Sequence, residues 1–158
     1  MNYDRATARL RRLMFRVLRI LMIVVAVAGL TGTAGANPGA GTQSVVQAKG
    51  ALPEPFTIQT KGASEVILQQ VIIQPGGFTG WHTHPGKVLA VVKSGTFTRY
   101  LADCTSQTYT EGQSFIETGQ IHQGRNNDPS APLELSVIYI NPAGSPLRTE
   151  ADDQGCKL

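Results

Sequence analysis

Gly80-Trp81-His82-Thr83-His84-Pro85 and, later in the chain, Gly119-Gln120-Ile121-His122 contain all three histidines of this 158-residue sequence. Side chains two residues apart on a β-strand point to the same face. His82 and His84 are therefore expected to project side by side, and a glycine turn brings His122 toward them from a later strand. Neutral imidazoles bind Fe, Mn, Cu, Zn and Ni, so His82, His84 and His122 are candidate ligands of one divalent transition metal whose identity stays open.

The sequence around the histidines predicts an all-β fold. Short apolar runs broken by Gly and Pro follow one another from about residue 52, at positions 56–59, 64–74, 87–93, 96–101, 113–117 and 133–141. Many short strands separated by turns are typical of a sandwich or barrel. In the run 87–93, we expect Lys87 and Lys93 to face outward and Val88, Ala90 and Val92 to face the interior. Two further apolar residues share the lysine face, which predicts that the N-terminal segment or a second subunit in a homodimer covers it.

The two histidine segments resemble the two conserved motifs of the cupin superfamily. The first motif corresponds here to Gly76, His82, His84, Val88 and Gly95, and the second to Gly112, Glu117, Gly119, His122 and Asn126. The likeness spans about residues 75–127 and implies a small double-stranded β-helix, the cupin or jelly-roll barrel. It departs from the family at two positions, because Val88 replaces the family's glutamate ligand and Glu117 replaces a proline. Some cupin-like oxygenases use a three-histidine iron centre, so this resemblance is compatible with catalysis. Glu117 and Glu111 are the acids nearest in sequence to His122 and are candidates to compensate for the missing carboxylate, but acids beside turns usually face solvent, and we expect these two to do so.

The N-terminus has the pattern of a secretory signal peptide, predicted for residues 1–36. Six of the 14 Lys and Arg residues lie there beside one acid, followed by an apolar run at 20–30 and by Ala34-Gly35-Ala36 at the expected cleavage site. We predict export, by the Sec route rather than the twin-arginine route that Arg11-Arg12 suggests, and no stable membrane span after processing; an uncleaved anchor is the alternative. Without the leader, 8 basic and 10 acidic residues remain, a composition that does not favour a nucleic-acid partner.

The rest of the chain is predicted to contain a flexible linker at 37–50, the barrel at 51–144 and a C-terminal tail at 145–158. Cys104 and Cys156 lie far apart in sequence and form no Cys-x-x-Cys pair. In an oxidising compartment they are expected to pair and to attach the tail to the barrel, with two unpaired thiols as the alternative.

Two classes of function fit these residues. The first is an enzyme, namely a metal-dependent oxygenase, lyase or isomerase acting on a small polar molecule. The second is a non-enzymatic module that binds a metal or small ligand, or a barrel with a degenerate site kept for protein interaction. Trp81, Gln70 and Tyr100 are candidate cavity residues. The sequence identifies neither a catalytic acid nor a catalytic base.

Overall fold

Nine β-strands account for the regular structure of residues 40–158. The structure, a computed structural model, describes residues 40–158, so the predicted signal peptide at 1–36 lies outside the described residues. The strands are β1 Ser64–Ile73, β2 His82–Thr83, β3 Lys87–Ser94, β4 Thr96–Leu101, β5 Ser106–Thr110, β6 Ser114–Glu117, β7 His122–Arg125, β8 Leu133–Pro142 and β9 Thr149–Glu150.

The strands form two antiparallel sheets. One has four strands in the order β1-β8-β3-β6, and the other has five in the order β5-β4-β7-β2-β9. Residues 40–158 contain no helix, which confirms the predicted all-β class and the small double-sheet barrel. In the part of the chain that the structure describes, no helix has the length and apolar character needed to cross a membrane.

The hydrophobic core lies between the two sheets and follows the alternation of the strands. On β8 every second side chain is buried, and on β3 Val88, Ala90 and Val92 are buried while Lys87 and Lys93 lie on the other face, as predicted. The core side chains are Ile73, Val88, Ala90, Val92, Phe97, Phe115, Leu133, Leu135, Val137 and Tyr139. The outer face of the four-stranded sheet is also partly apolar, since Val66 and Leu68 are 72% and 64% exposed. The homodimer that this face suggests stays a prediction.

Five of the six predicted strands form, and the errors have simple causes. Residues 56–59 form no strand and lie exposed, although their apolar residues suggested one. The sequence analysis missed β5, whose polar residues carry no apolar alternation, but β5 pairs along its whole length with β4. It also missed β9, whereas β2 and β7 lie where the histidine spacing placed strands. Hydrogen bonding to a neighbouring strand, rather than local composition, decides these segments.

The end of the predicted linker packs against the barrel. Ala51 forms a parallel bridge with Gln113 at β6, and its N–H donates to the Gly112 carbonyl at 2.8 Å. Gly50 lies so close to this edge that an added Cβ would be 2.2 Å from Ser114 Oγ. The residues before it, from 40 to 49, contain no strand. Val45–Leu158 forms one compact unit.

The C-terminal tail, residues 145–158, contributes to the barrel instead of lying outside it. Strand β9 within the tail adds to the five-stranded sheet, with Thr149 and Glu150 opposite Thr83 and His82. A disulfide joins Cys104 to Cys156, which confirms the predicted pairing. The tail is therefore held near both of its ends. It continues directly from β8 at its start, and near its end the disulfide ties it to the turn between β4 and β5.

Candidate metal centre

The three histidines come together inside the barrel. His82 begins β2 and His122 begins β7, and the antiparallel register places them directly opposite each other. His84 is the first residue after β2 and points to the same face as His82. The three residues are 5%, 6% and 3% exposed, and one ring nitrogen of each lies within 4.8 Å of the others. The predicted cluster is thus formed from two neighbouring strands of one sheet.

Backbone carbonyls hold each imidazole ring in a defined tautomer. Nδ1 of His82 donates to the Gly80 carbonyl at 2.9 Å, and Nδ1 of His122 donates to the Gln120 carbonyl at 2.9 Å. Nδ1 of His84 donates to the Leu147 carbonyl at 2.7 Å. Since a carbonyl oxygen can only accept, each Nδ1 carries a hydrogen and each Nε2 is left to bind a proton or a metal. Histidine ligands of metal sites are oriented by such hydrogen bonds.

A buried carboxylate completes the cluster. Glu117, the last residue of β6, is 6% exposed, and its Oε1 lies 3.1 Å from Nε2 of His122. Its Oε2 lies 3.2 Å from Nε2 of His84. The β3–β6 register places Glu117 directly opposite Val88, the residue that replaces the family's glutamate. Position 88 thus carries no carboxylate, but the residue directly opposite it on the neighbouring strand does.

The charge of Glu117 depends on the cations around it. Burial by itself raises the pKa of this carboxyl, but the hydrogen bonds and charges of His122 and His84 outweigh burial and hold the pKa well below its usual range. The guanidinium of Arg99 contributes another positive charge, with Nη1 4.0 Å from Oε1. Glu117 is therefore an anion that is balanced by its neighbours, as a buried charge must be.

His82 differs from the other two histidines because it has no carboxylate partner among the ion pairs of residues 40–158. Burial lowers its pKa to about 4, assisted by the charges of His122 and His84, although the hydrogen bond to Gly80 acts in the opposite direction. His82 therefore stays neutral, with its Nε2 electron pair available, at pH values where an exposed histidine is largely protonated.

A cavity of about 320 Å³ opens beside the cluster. Most of its wall is apolar, and the residues that line it are Gln69, Val71, Thr79, His82, His84, Ala90, Phe97, Phe115, Glu117, His122, Gly124, Leu135, Val137, Tyr139, Leu147 and Arg148. The Tyr139 hydroxyl donates to Gln69 at 2.9 Å, and burial together with the charge of Glu117 raises the pKa of Tyr139, which keeps this phenol neutral.

The three residues predicted to face the cavity, Gln70, Tyr100 and Trp81, do not line it. Gln70 is adjacent to the cavity residue Gln69 on β1, so it points outward, where its amide donates to Glu134 at 2.7 Å. Tyr100 also does not line the cavity, and Trp81, next to His82, is buried on the other side of the sheet near Cys156. For Gln70 on β1 and Tyr100 on β4 the reason is the two-residue period of a strand, which separates neighbouring side chains onto opposite faces.

The donor set fits a divalent transition metal. Imidazole nitrogens and carboxylate oxygens bind the metals from Mn²⁺ to Zn²⁺, and both kinds of group are buried together here. A family model described as the cupin domain matches residues 69–139. Residues 69–139 of this chain therefore form a cupin domain.

Several solved structures are similar to this chain at low sequence identity. The polyketide cyclase RemF from Streptomyces resistomycificus is 19% identical over 61% of this cupin and 70% of its own chain, with a TM-score of 0.47. A cupin domain from Bordetella pertussis Tohama I is 24% identical over 61% and 99% of the two chains, with a TM-score of 0.43. The DMSP lyase DddQ from Ruegeria pomeroyi DSS-3 is 15% identical over 54% of this cupin but only 43% of its own chain, with a TM-score of 0.48. No sequence among the curated proteins matches.

Three residues of this cupin's site had little or no signal in the sequence: Glu117, Leu147 and Arg148. Glu117 gave one signal, an acid in place of the motif proline, yet nothing local showed that it turns inward. Nothing in the sequence indicated a role in the site for Leu147 and Arg148 of the C-terminal tail. In the structure the Leu147 carbonyl orients His84, and both residues line the cavity. A backbone carbonyl is present in every residue, so its role depends only on the path of the chain.

Proposed function

We propose that this cupin is exported and binds one divalent transition metal through His82, His84 and His122, and that it acts there on a small molecule as an oxygenase, lyase or isomerase. The observation that carries the proposal is the convergence of three buried imidazoles whose Nδ1 atoms all donate to backbone carbonyls. When bound, the metal supplies Lewis-acid or oxygen-activating chemistry.

The cavity beside the histidines supports a proposal for the class of substrate. Its volume of about 320 Å³ is at the lower end of the usual range for small-molecule sites. Aliphatic and aromatic side chains make up most of the wall, and the polar groups concentrate at the cluster and at Tyr139 and Arg148. Within the small polar molecules expected from the sequence, one with an apolar body and one polar group directed at the metal fits this lining best.

A second function, metal or ligand binding without catalysis, is favoured by a different observation. Neither polar side chain suited to proton transfer is free, because Glu117 contacts two histidines and the Tyr139 hydroxyl donates to Gln69. In this alternative the same cavity holds a metal or small ligand outside the cytoplasm and releases it unchanged.

The location of the protein is proposed from the disulfide and the leader together. Disulfides persist mainly in oxidising compartments, so the Cys104–Cys156 bond favours an exported protein. The arginine-rich, apolar and small-residue segments of 1–36 support export by the Sec route followed by cleavage.

The metal content of the protein, purified without a histidine tag and incubated with Fe²⁺, Mn²⁺, Cu²⁺, Zn²⁺ or Ni²⁺, tests the proposal. We expect about one equivalent of metal in the wild type and a large loss in His122→Ala. Thr83→Ala is the matched control, since Thr83 lies between two of the histidines but donates away from the cluster to the Gly119 carbonyl. Absence of metal from the wild type under all five conditions would contradict metal binding. Turnover of small substrates by the loaded protein then separates the enzyme from the binding module.

A further inference from the structure

The buried carboxylate of Glu117 has a position that three histidines alone do not require. We propose that Glu117 is the fourth protein ligand of the metal and that it replaces, from strand β6, the carboxylate that position 88 on β3 does not supply. This inference rests on the proposed metal binding and adds a ligand to it.

The distances between Glu117 and the histidines suit a shared ion. Its two oxygens lie 3.1 Å and 3.2 Å from Nε2 of His122 and His84. Two ligand atoms that are each about 2.1 Å from one metal ion are roughly 3.0 Å apart at a right angle and about 3.4 Å apart at the tetrahedral angle. The carboxylate and both imidazoles are therefore already spaced as neighbouring ligands.

The hydrogen-bond directions lead to the same conclusion. Because both Nδ1 atoms donate to carbonyls, the neutral forms of His84 and His122 present only electron pairs at Nε2. The oxygens of an ionised Glu117 present electron pairs as well. Acceptor groups that face one another at about 3 Å in a buried site repel unless a cation lies among them, and that cation is either a proton or a metal ion.

The register of the barrel explains how a residue on another strand can take this place. Val88 and Glu117 are directly opposite in the antiparallel β3–β6 pair, and both are buried. Opposed residues of such a pair point to the same side of the sheet, with Cβ atoms about 5 Å apart. A carboxylate at either position therefore enters the same part of the interior, and Val88 fills the space with an apolar side chain where a second acid would repel the first.

Arg99 holds the carboxylate from behind and acts as a positioning residue. Its guanidinium lies 4.0 Å from Glu117 and is only 6% exposed. It donates to the Ile116 carbonyl at 2.8 Å and to the side chains of Gln107 and Tyr109. A cation fixed by three acceptors keeps the neighbouring carboxylate in place and does not itself line the cavity.

The test compares the Zn²⁺ affinity of the full-length protein with that of Glu117→Gln, measured by competition with a chromogenic chelator. Glutamine keeps the shape of glutamate but removes the charge. Replacing a residue that merely orients a ligand typically weakens metal binding by roughly 10- to 100-fold, so we expect a loss of at least about 100-fold for a ligand itself. We also expect the visible absorption of the Co²⁺-loaded protein to change, because that absorption reports the ligand set. Glu111→Gln is the matched control, since Glu111 is exposed on the turn before β6 and should leave both measurements unchanged.

The outcomes separate this inference from the proposed function. If the wild type binds Zn²⁺ and the Glu117→Gln variant binds it with equal affinity and shows the same Co²⁺ absorption, Glu117 is not a ligand. The three-histidine site would then stand unchanged. A wild type that binds neither metal would overturn both. If Glu117→Gln does not fold, Glu117→Asp serves in its place, because aspartate keeps the charge but is too short to reach both histidines; unchanged affinity there would equally refute the proposal.

Discussion

The disulfide between Cys104 and Cys156 links the stability of the barrel to its candidate metal centre. The tail that it holds carries the Leu147 carbonyl, which accepts from His84, and strand β9, which pairs with His82 and Thr83. We predict that the double variant Cys104→Ser/Cys156→Ser loses both folding stability and metal affinity.

The size of the stability loss follows from the length of the loop that the disulfide closes. The two cysteines are separated by 52 residues. Closing a loop of that length lowers the entropy of the unfolded chain by about 14 cal/mol/K, which corresponds to at most about 4 kcal/mol at 25 °C. For a domain of this size, the same loss lowers Tm by roughly 15 °C.

Urea unfolding of the metal-free protein measures this free energy without the added stability that a bound metal would give. Zn²⁺ affinity is then measured on the folded variant, where we expect a decrease of about 10-fold because the carbonyl that orients His84 is less firmly held. Lys157→Ala, an exposed change beside Cys156, is the control. A stability loss below about 1 kcal/mol would refute the loop argument. An unchanged Zn²⁺ affinity would show that β9 and its neighbours hold the tail without the disulfide.

Two further predictions concern close packing and pH. Gly86→Ala should lower the free energy of unfolding by about 3 kcal/mol or prevent folding, because the added Cβ would lie 2.0 Å from the Ile140 carbonyl oxygen. The control is Gly62→Ala, where the added Cβ meets open space. In the same urea titration it should change the free energy of unfolding by less than about 0.5 kcal/mol. Between pH 7 and pH 5 the metal-free wild type should lose on the order of 1 kcal/mol more stability than His82→Asn. His82 becomes protonated below about pH 6.5 in the unfolded chain but only near pH 4 in the folded protein. The stability that neutral His82 contributes to the fold is therefore complete above pH 6.5 and declines as the pH falls. Equal pH dependence of the two proteins would contradict the lowered pKa of His82.

The local pattern of the sequence determined the fold class and the three histidines of the site. The alternation in β3 and β8 is strong because one face of each strand is buried and the other is not, and burial is what an apolar-polar pattern records. The two-residue spacing of His82 and His84 likewise fixes their common face. The cysteine pairing was also predictable, since export and two isolated cysteines leave one intramolecular partner.

The tertiary structure alone decided the remaining parts of the site. Glu117 meets His84 and His122 because the β3–β6 register places it opposite Val88, and that register depends on hydrogen bonds between strands that are far apart in sequence. The Leu147 carbonyl reaches His84 across 63 positions of the chain because β9 folds back beside β2. Local composition records which face of a strand is buried, but only the assembled sheets determine which residues of different strands share that interior.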